Sequence, residues 1–413
     1  MSVEGIIGSR SRPQGQTWAI AMLAILGLTY VVNAMDRVVF SILLPSIGKD
    51  YDFSLQSGGL LATVFTLGIG LAGMPAGYLL ERYSRKSILL AGMLIYSVFT
   101  LLTPFATGFY DMLAYRILSG VGEGVQAAAL FTAVGAAFPK RRGAAIGSMN
   151  FAYGIGSFIG PALAAYLFVQ SSSWRLPFIV YAFIGIAVAL LVLVVVPARF
   201  TEQEEPGRPV DGAPGADAAF FNRNVLICAL AVATFGLCGY GFLALYPTFL
   251  RTALQFSVSE AGLAISLFGL GALVGIPAGY MADRVDQRVI GMVAPVLMAA
   301  TGYWMFNGAA TPAAQYALAL AMGAIGSGVI FVNICSLAQK SVDPKFTGKA
   351  SGLIITCLCV PASVSGFIFA MLQRELGWGN AALVQLALGP LVSIPFMALL
   401  DVKLVRRAGR PSP

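Results

Sequence analysis

The feature that most constrains this chain is a series of apolar runs, each about 20 residues long, that recurs along almost its whole length. A helix of that length crosses a hydrocarbon core roughly 30 Å thick. The runs are continuously apolar and do not alternate with a period of two, which argues against a β-barrel. The sequence therefore predicts an all-α membrane protein.

Composition and charge agree with this class. Charged residues make up 11% of the 413 positions and apolar residues 58%, whereas an ordinary soluble domain is about a quarter charged. The net charge of +8 comes from short basic clusters between apolar runs. Such clusters are topology signals and do not form a nucleic-acid surface. The first apolar run lacks a small-residue cleavage site, so we expect it to be a retained helix.

We predict twelve transmembrane helices. Their ranges are 18–46, 57–80, 87–107, 112–138, 143–169, 176–197, 225–249, 259–282, 289–309, 312–339, 350–373 and 380–402. Twenty of the 26 lysines and arginines then fall in segments on one side, and only Lys49, Arg175, Arg251 and Arg374 fall in loops on the other. The positive-inside rule places both termini in the cytoplasm and predicts a multi-pass protein of a bacterial inner membrane.

A polar stretch rich in proline and glycine divides the chain into two six-helix halves, and it is typical of a flexible cytoplasmic linker. The predicted division is a cytoplasmic segment at 1–17, a first bundle at 18–197, the linker at 198–224, a second bundle at 225–402 and a cytoplasmic tail at 403–413.

The two halves repeat one another in sequence. The pattern Gly-x-Pro-Ala-Gly-Tyr at 73–78 recurs at 275–280, and an acid followed by an arginine comes two residues after each copy. Duplicated bundles are the architecture in which a central site opens to one side of the membrane and then to the other. The sequence therefore predicts two pseudo-symmetric six-helix bundles.

The loop between predicted helices 2 and 3 carries a family signature. It reads G-Y-L-L-E-R-Y-S-R-K over 77–86 and resembles the G-x-x-x-D-R-x-G-R-R/K motif of the major facilitator superfamily, with Glu81 in place of aspartate and Ser84 in place of glycine. The resemblance implies that charges here brace or gate helix ends through salt bridges that break and re-form. The implied gating residues are Gly77, Glu81, Arg82, Arg85, Asp283 and Arg284.

Four charged residues lie well inside predicted helices, all in the first half: Asp36, Arg37, Arg116 and Glu123. Each isolated charge near the bilayer centre costs roughly 2.5 to 3.5 kcal/mol on the lenient insertion scale, so these four must pair or face water. Arg116 and Glu123 are seven residues apart and share a helix face. We expect the four charges to converge on one cavity wall, where a guanidinium can bind an anion and a buried acid can carry a proton. The alternative is an ion-pair lattice that only fixes helix packing.

These charges also resemble a narrower family. Asp-Arg in helix 1, with Arg-x6-Glu in a glycine-rich helix 4, is similar to the anion:cation symporters, which include bacterial sugar-acid transporters, sialin and the vesicular glutamate transporters. The resemblance implies that Asp36 and Glu123 couple protons and that Arg37 and Arg116 handle substrate charge or gate the acids. The same residues resemble the Spinster family of lysolipid transporters. The run at 156–164 is similar to a motif of proton-coupled drug exporters.

The second half offers only neutral candidates for substrate contact: Tyr240, Tyr246 and Asn333. Helix packing is the alternative for each. The chain has no histidine, and its five cysteines lie in apolar helices, so we expect no metal and no cofactor. It has no phosphate-binding loop and no nucleophile beside a base, so we do not expect an enzyme.

Together, these patterns predict a proton-coupled symporter of a small organic anion, such as a carboxylate or sugar acid, that works by alternating access. The expected partners are that anion, protons and membrane lipid. We expect a monomer and no nucleic acid. The alternatives are a Spinster-like amphiphile transporter, a drug exporter, and a sensor that kept the fold without transporting.

Overall fold

The structure is a computed structural model that describes residues 16–138, 142–202, 222–275, 277–278, 285–308, 310–342 and 346–401. Within these ranges every regular element is a helix and no strand is present. This confirms the predicted all-α class.

The described residues up to 202, which we call the N-terminal half, form eight α-helices and one 3-10 turn at Thr103–Phe105. The helices are α1 Gln16–Tyr51, α2 Leu55–Thr63, α3 Phe65–Arg82, α4 Arg85–Leu102, α5 Phe109–Ala137, α6 Arg142–Ser171, α7 Arg175–Val195 and α8 Ala198–Thr201.

The described residues from 222 onward, which we call the C-terminal half, contain nine α-helices and two π-helical segments, π1 Ala324–Phe331 and π2 Leu383–Leu388. The α-helices are α9 Arg223–Thr252, α10 Val258–Ala272, α11 Gln287–Asn307, α12 Pro312–Gly323, α13 Val332–Lys340, α14 Thr347–Ala362, α15 Ser365–Ala382, α16 Gly389–Leu391 and α17 Ser393–Ala398.

Ten helical segments in the described ranges are long and apolar enough to cross a membrane. The last of these, 349–398, changes direction inside α15 at Gly377, whose φ of 75° is in the left-handed region. Glycine adopts this conformation without the steric cost that other residues meet there. The predicted ranges 350–373 and 380–402 lie on either side of this turn.

Contacts between loops identify one end of the molecule. The Tyr51 hydroxyl donates a hydrogen bond to the carbonyl of Ala106 at 2.6 Å, and the indole N–H of Trp174 donates to Asp50 at 2.7 Å. Three connections of the N-terminal half therefore meet at the same end. We call it the predicted outer end, because the positive-inside rule places these loops outside, and we call the opposite end the predicted inner end.

Glycines in α5 allow α3 and α4 to approach closely. A Cβ atom added at Gly120 would overlap the carbonyl oxygen of Phe65, and one added at Gly122 would overlap the backbone of Gly92 and Tyr96. Small residues are the usual means of bringing membrane helices together. The glycines of α5 therefore account for its close contact with α3 and α4.

We expect Gly120→Ala to lower thermal stability, because the added methyl group would force α3 away, and overpacking of this kind costs about 1 to 3 kcal/mol. Gly352→Ala in α14 is the matched control. No heavy atom of the described residues lies within 4 Å of a Cβ added there, and alanine has a helix propensity about 1 kcal/mol better than glycine. Thermal unfolding of both variants in one detergent compares them. Equal unfolding temperatures would contradict the close packing at Gly120.

The two halves contact each other along a surface that we call the seam. On one side, α2 packs against α15 so closely that a Cβ added at Gly59 or at Gly366 would overlap the other residue's carbonyl group. The hydroxyl of Thr63 donates to the carbonyl of Ser363 at 2.8 Å. On the other side, α6 packs against α10, where Gly269 lies against the backbone of Ser157.

The seam differs between its two ends. Toward the predicted outer end, the guanidinium of Arg251 on α9 donates to the carbonyl of Ile42 at 3.4 Å and to the hydroxyl of Ser46 at 3.3 Å, both on α1. Toward the predicted inner end, Cβ atoms added at Gly77 on α3 and at Gly147 on α6 would meet open space. The described hydrogen bonds between α1 and α9 therefore lie toward the predicted outer end.

Candidate functional site

A small pocket lies in the middle of the seam, between α1, α2, α3 and α6 of the N-terminal half and α9 of the C-terminal half. Its lining residues are Arg37, Val38, Ser41, Ala62, Phe65, Tyr153, Tyr240, Leu243 and Ala244. Both halves contribute to it, but Arg37 is the one charged residue in this lining. A ligand in the pocket would therefore meet one guanidinium, a few hydroxyl groups and apolar walls.

Arg37 is held from two directions. Its Nε atom donates to the amide oxygen of Asn33 at 3.0 Å and lies 2.8 Å from a carboxylate oxygen of Glu123. Nε carries a single hydrogen, and that hydrogen is directed at Asn33, so the contact with Glu123 is an ion pair without an aligned hydrogen bond. The guanidinium also stacks over the ring of Tyr153, 5.3 Å from its centre. No hydrogen bond from its two Nη groups is present in the described ranges, so both remain available to an anion in the pocket.

Glu123 on α5 is fully buried. Neither of its carboxylate oxygens accepts an aligned hydrogen bond from the described residues, although the Arg37 guanidinium is in contact. An ionised carboxylate normally needs several donors when it is removed from water. The ionised form of Glu123 is therefore stabilised mainly by one cation, Arg37, and by few other groups.

Asp36 faces away from the pocket although it is next to Arg37 in sequence. Its two carboxylate oxygens accept hydrogen bonds from the hydroxyls of Thr100 on α4, at 2.8 Å, and Ser119 on α5, at 3.0 Å. Adjacent helical residues point about 100° apart, which accounts for the different surroundings. Asp36 is thus buried in the helix packing behind the pocket.

Arg116 is also buried behind the pocket wall. Its Nε donates to the carbonyl of Leu61 at 3.3 Å, and its guanidinium lies between the rings of Phe65 and Phe40, 4.8 and 5.2 Å from their centres. One of its terminal nitrogens has no hydrogen-bond partner in the described structure. Because Phe65 also lines the pocket, this ring separates Arg116 from it. Of the four charges expected on one cavity wall, only Arg37 lines this pocket, and the other three are buried behind it.

The neutral candidates of the C-terminal half are not all at the pocket. Tyr240 lines it, with its ring centre 6.3 Å from that of Phe65. Tyr246 is buried within the C-terminal half, where its hydroxyl donates to the side chain of Gln315 at 2.8 Å. Asn333 donates to the carbonyl of Gln287 at 3.2 Å and borders a separate small cavity. The last two are held by contacts between helices, which was the alternative considered for them.

The predicted gating residues that the structure describes, all in the N-terminal half, lie at the predicted inner end. Gly77, Glu81 and Arg82 are exposed there, and the Arg82 guanidinium lies 4.3 Å from the ring centre of Tyr78. Arg85 instead contacts the end of the N-terminal half, where its Nη1 donates to the carbonyl of Thr201 at 3.2 Å. The two gating candidates of the second copy, Asp283 and Arg284, lie outside the described residues.

Several residues at these sites were missed from sequence. Glu202, in the predicted linker, accepts hydrogen bonds from the backbone N–H groups of Arg85 and Lys86, both at 3.0 Å, and so caps the start of α4. Asn33 and Gln126 are neutral amides inside apolar helices, and they contact each other at 2.7 Å. Their spacing was the available signal, because Asn33 precedes Arg37 by four residues and Gln126 follows Glu123 by three, which puts each pair on one helix face.

A family model and curated relatives match this sequence. The model described as "Major Facilitator Superfamily" matches residues 26–366. A hexuronate transporter of Bacillus subtilis is 27% identical over 277 residues, which cover 65% of this chain and 65% of that protein. A cis,cis-muconate transport protein of Acinetobacter baylyi is 26% identical over 290 residues, 68% of this chain and 70% of that protein. The chain thus matches about two thirds of the length of the hexuronate transporter.

A solved structure has the same fold. It is a bacterial homologue of the human lysosomal transporter Spinster in an inward-facing, unoccupied conformation, and it superposes with a TM-score of 0.72. The alignment covers 94% of this chain and 96% of that one at 17% sequence identity. At that identity the likeness describes the fold and says nothing of the substrate.

Proposed function

The chain belongs to the Major Facilitator Superfamily, and we propose that it is a proton-coupled symporter of a small organic anion, such as a carboxylate or sugar acid. The observation that carries this proposal is the contact between Arg37, which lines the pocket at the seam, and the buried Glu123. Alternating access at that pocket would move the anion across the membrane.

The proposed topology has twelve membrane crossings in two six-helix bundles, with both termini in the cytoplasm. Ten described segments are long and apolar enough, and the last of them turns at Gly377, which makes eleven. The shorter apolar helix α10 would be the twelfth. The distribution of lysine and arginine between the loops supports this orientation.

Competition for Arg37 would couple the two ligands. While Glu123 is ionised, its charge neutralises the guanidinium from 2.8 Å away, and an anion in the pocket gains little from it. Once Glu123 is protonated, the positive charge of Arg37 is available to the anion. Each ligand then favours binding of the other, as linkage requires. Proton and anion would therefore load together.

The remaining candidates have supporting roles in this proposal. Asp36 would be a second proton acceptor behind the pocket wall, and Tyr240 would contact the substrate from the C-terminal half. Arg116 would reach an anion only when the ring of Phe65 moves aside. We assign Tyr246 and Asn333 to helix packing, because both are engaged with neighbouring helices.

The relatives support a carboxylate substrate. Two of the relatives are named after hexuronate and cis,cis-muconate, and both compounds are carboxylate anions. A planar guanidinium binds a carboxylate through two parallel N–H donors. A pocket whose single charged residue is Arg37 has the chemistry to bind such a compound.

The test is uptake into proteoliposomes under an imposed proton gradient, with a panel of hexuronates, dicarboxylates, lysolipids and lipophilic cations. We expect an acidic exterior to drive accumulation of one carboxylate class and a protonophore to abolish it. Carboxylate uptake that reaches the same level with and without the proton gradient would contradict proton coupling. Absence of carboxylate uptake under every gradient would contradict the anion proposal.

A second candidate function is transport of an amphiphile with an anionic head group. The observation that favours it is the apolar part of the pocket lining, made of Val38, Ala62, Phe65, Leu243 and Ala244. An acyl chain could lie along these residues while Arg37 binds the head group. In the same panel, uptake of lysolipid in preference to every small carboxylate would support this candidate.

A further inference from the structure

We propose that Asn33 is a positioning residue of the coupling site, whose amide oxygen holds Arg37 and also accepts the O–H of Glu123 when that acid is protonated. The inference rests on the proposed function, because it takes Glu123 as the carrier of the coupling proton. The inference adds to that function the group that accepts a hydrogen bond from the protonated carboxyl of Glu123.

Asn33 belongs to a buried row of polar side chains between α1 and α5. Thr29, Asn33 and Arg37 follow one another at intervals of four residues on α1 and therefore share a face. The amide nitrogen of Gln126 donates to the hydroxyl of Thr29 at 3.0 Å, and the amide nitrogen of Asn33 donates to the oxygen of Gln126 at 2.7 Å. The row ends where Arg37 donates to Asn33.

The chemistry of arginine fixes the orientation of the Asn33 amide. A guanidinium has only donors, so the Asn33 atom 3.0 Å from Nε of Arg37 must be the oxygen. The nitrogen is then the atom that faces Gln126, in agreement with the rest of the row. Asn33 is fully buried, so solvent does not compete for its oxygen.

That oxygen has a second lone pair. An amide oxygen can accept two hydrogen bonds, and Asn33 Oδ1 accepts one, from Arg37, in the described structure. The oxygen of Glu123 lies 2.8 Å from the same Nε atom. Both oxygens contact the same nitrogen, and we infer that a turn of the carboxyl group brings them into contact with each other.

The protonation step is then simple. A proton bonds to a carboxylate oxygen of Glu123, the negative charge is removed, and the new O–H donates to the free lone pair of Asn33. Arg37 keeps its own bond to Asn33 while losing its counter-ion. The guanidinium thus stays in position with its Nη groups toward the pocket at the moment when its charge becomes available to the anion.

Other ionisable groups also surround Glu123, and the test must separate their effects. They are Tyr30, Asp36 and Arg37 on α1, Tyr96 on α4, Arg116 on α5, Tyr240 on α9 and Cys359 on α14. Asp36 and Tyr96 are the strongest competitors, because the carboxyl group of Asp36 is within hydrogen-bonding reach of that of Glu123 and the buried hydroxyl of Tyr96 has no hydrogen-bond partner in the described structure. Asp36→Asn and Tyr96→Phe are therefore part of the experiment.

The experiment measures the pH at half-maximal rate for counterflow exchange, which needs no imposed gradient. In Asn33→Leu, the protonated acid loses its acceptor, so proton affinity falls and the half-maximal pH should drop by about one unit, a tenfold change worth about 1.4 kcal/mol. Thr29→Val is the matched control, because it removes the hydrogen bond between Gln126 and Thr29 and leaves the Asn33 oxygen in place. Its half-maximal pH should stay within a few tenths of wild type.

Three results would overturn the role of Asn33: an unchanged profile in Asn33→Leu, an equal shift in Thr29→Val, or a shift confined to Asp36→Asn or Tyr96→Phe. A different pattern marks failure of the proposed function itself. In that case the wild-type rate would not depend on pH at all, and Glu123→Gln would transport as the wild type does.

A spectroscopic measurement on wild-type protein covers the case in which Asn33→Leu does not fold. The carboxylic C=O stretching band of Glu123 is identified as the infrared band that disappears in Glu123→Gln. A band at the lower frequency of a hydrogen-bonded acid that is unchanged in Asp36→Asn and in Tyr96→Phe supports the inference. A band at the frequency of an acid without a partner overturns it.

Discussion

Glu123→Gln is expected to abolish proton-driven accumulation of the anion while leaving exchange across the membrane intact. Glutamine has nearly the shape of the protonated acid, so Arg37 would be permanently free to bind substrate, but no proton could be bound or released with it. The measurement is uptake into proteoliposomes under an imposed proton gradient, in parallel with counterflow against preloaded unlabelled substrate. In Glu123→Gln, net uptake should stop when the anion concentration is equal on the two sides of the membrane.

The control for this variant is Glu375→Gln. Glu375 is exposed and forms its ion pair, at 3.6 Å, with the neighbouring residue Arg374. Removal of its charge should alter neither accumulation nor exchange. Full accumulation in Glu123→Gln would remove Glu123 from the coupling step. Loss of both accumulation and exchange would show that the residue is needed for binding or folding.

Arg37→Lys is expected to weaken anion binding by roughly 10- to 100-fold, because hydrogen bonds to charged groups are worth about 1.5 to 3 kcal/mol. The guanidinium contacts Asn33 and Glu123 through Nε while its two Nη groups remain for the pocket. A lysine ammonium is a point charge and cannot serve both directions in a fixed geometry. Isothermal titration of purified protein with the best transported anion, at a fixed acidic pH, measures the effect.

Two further variants test whether the loss of anion affinity is specific to Arg37. Arg175→Lys changes an exposed arginine at the predicted outer end, 3.0 Å from Asp50, and should leave affinity unchanged. Arg116→Lys changes the arginine behind Phe65 and should lower affinity less than Arg37→Lys. Unaltered affinity in Arg37→Lys would contradict the site. A larger loss in Arg116→Lys would place the anion on the other side of the Phe65 ring.

The helices were predictable from sequence because a membrane span depends on length and apolarity alone. The predicted and observed helix boundaries differ where the end or the continuation of a helix depends on packing against other helices. The first helix was predicted to end at 46, just after Pro45, but α1 continues to Tyr51, because a proline removes only one backbone donor and neighbouring helices hold the rest. The second was predicted as one helix, whereas α2 ends at Thr63 and α3 begins at Phe65.

The candidate site was predictable only in part. Charged residues in apolar helices are conspicuous, so Asp36, Arg37, Arg116 and Glu123 were found. Which charge meets which depends on how each helix is rotated about its axis, and that rotation is set by packing between helices distant in sequence. The screening of Arg116 by Phe65 is a result of this kind.

Among the described residues, the charges in and behind the pocket come from the N-terminal half, while the lining is shared, with Tyr240, Leu243 and Ala244 contributed by the C-terminal half. The residues proposed to bind the proton would therefore lie in one half of the chain, and the walls of the pocket in both. Substitutions at Tyr240, Leu243 and Ala244 would then reshape one wall of the pocket and leave the residues proposed to bind the proton unchanged. A new substrate preference could therefore arise through a few changes at that wall, without a second origin of the proposed proton coupling.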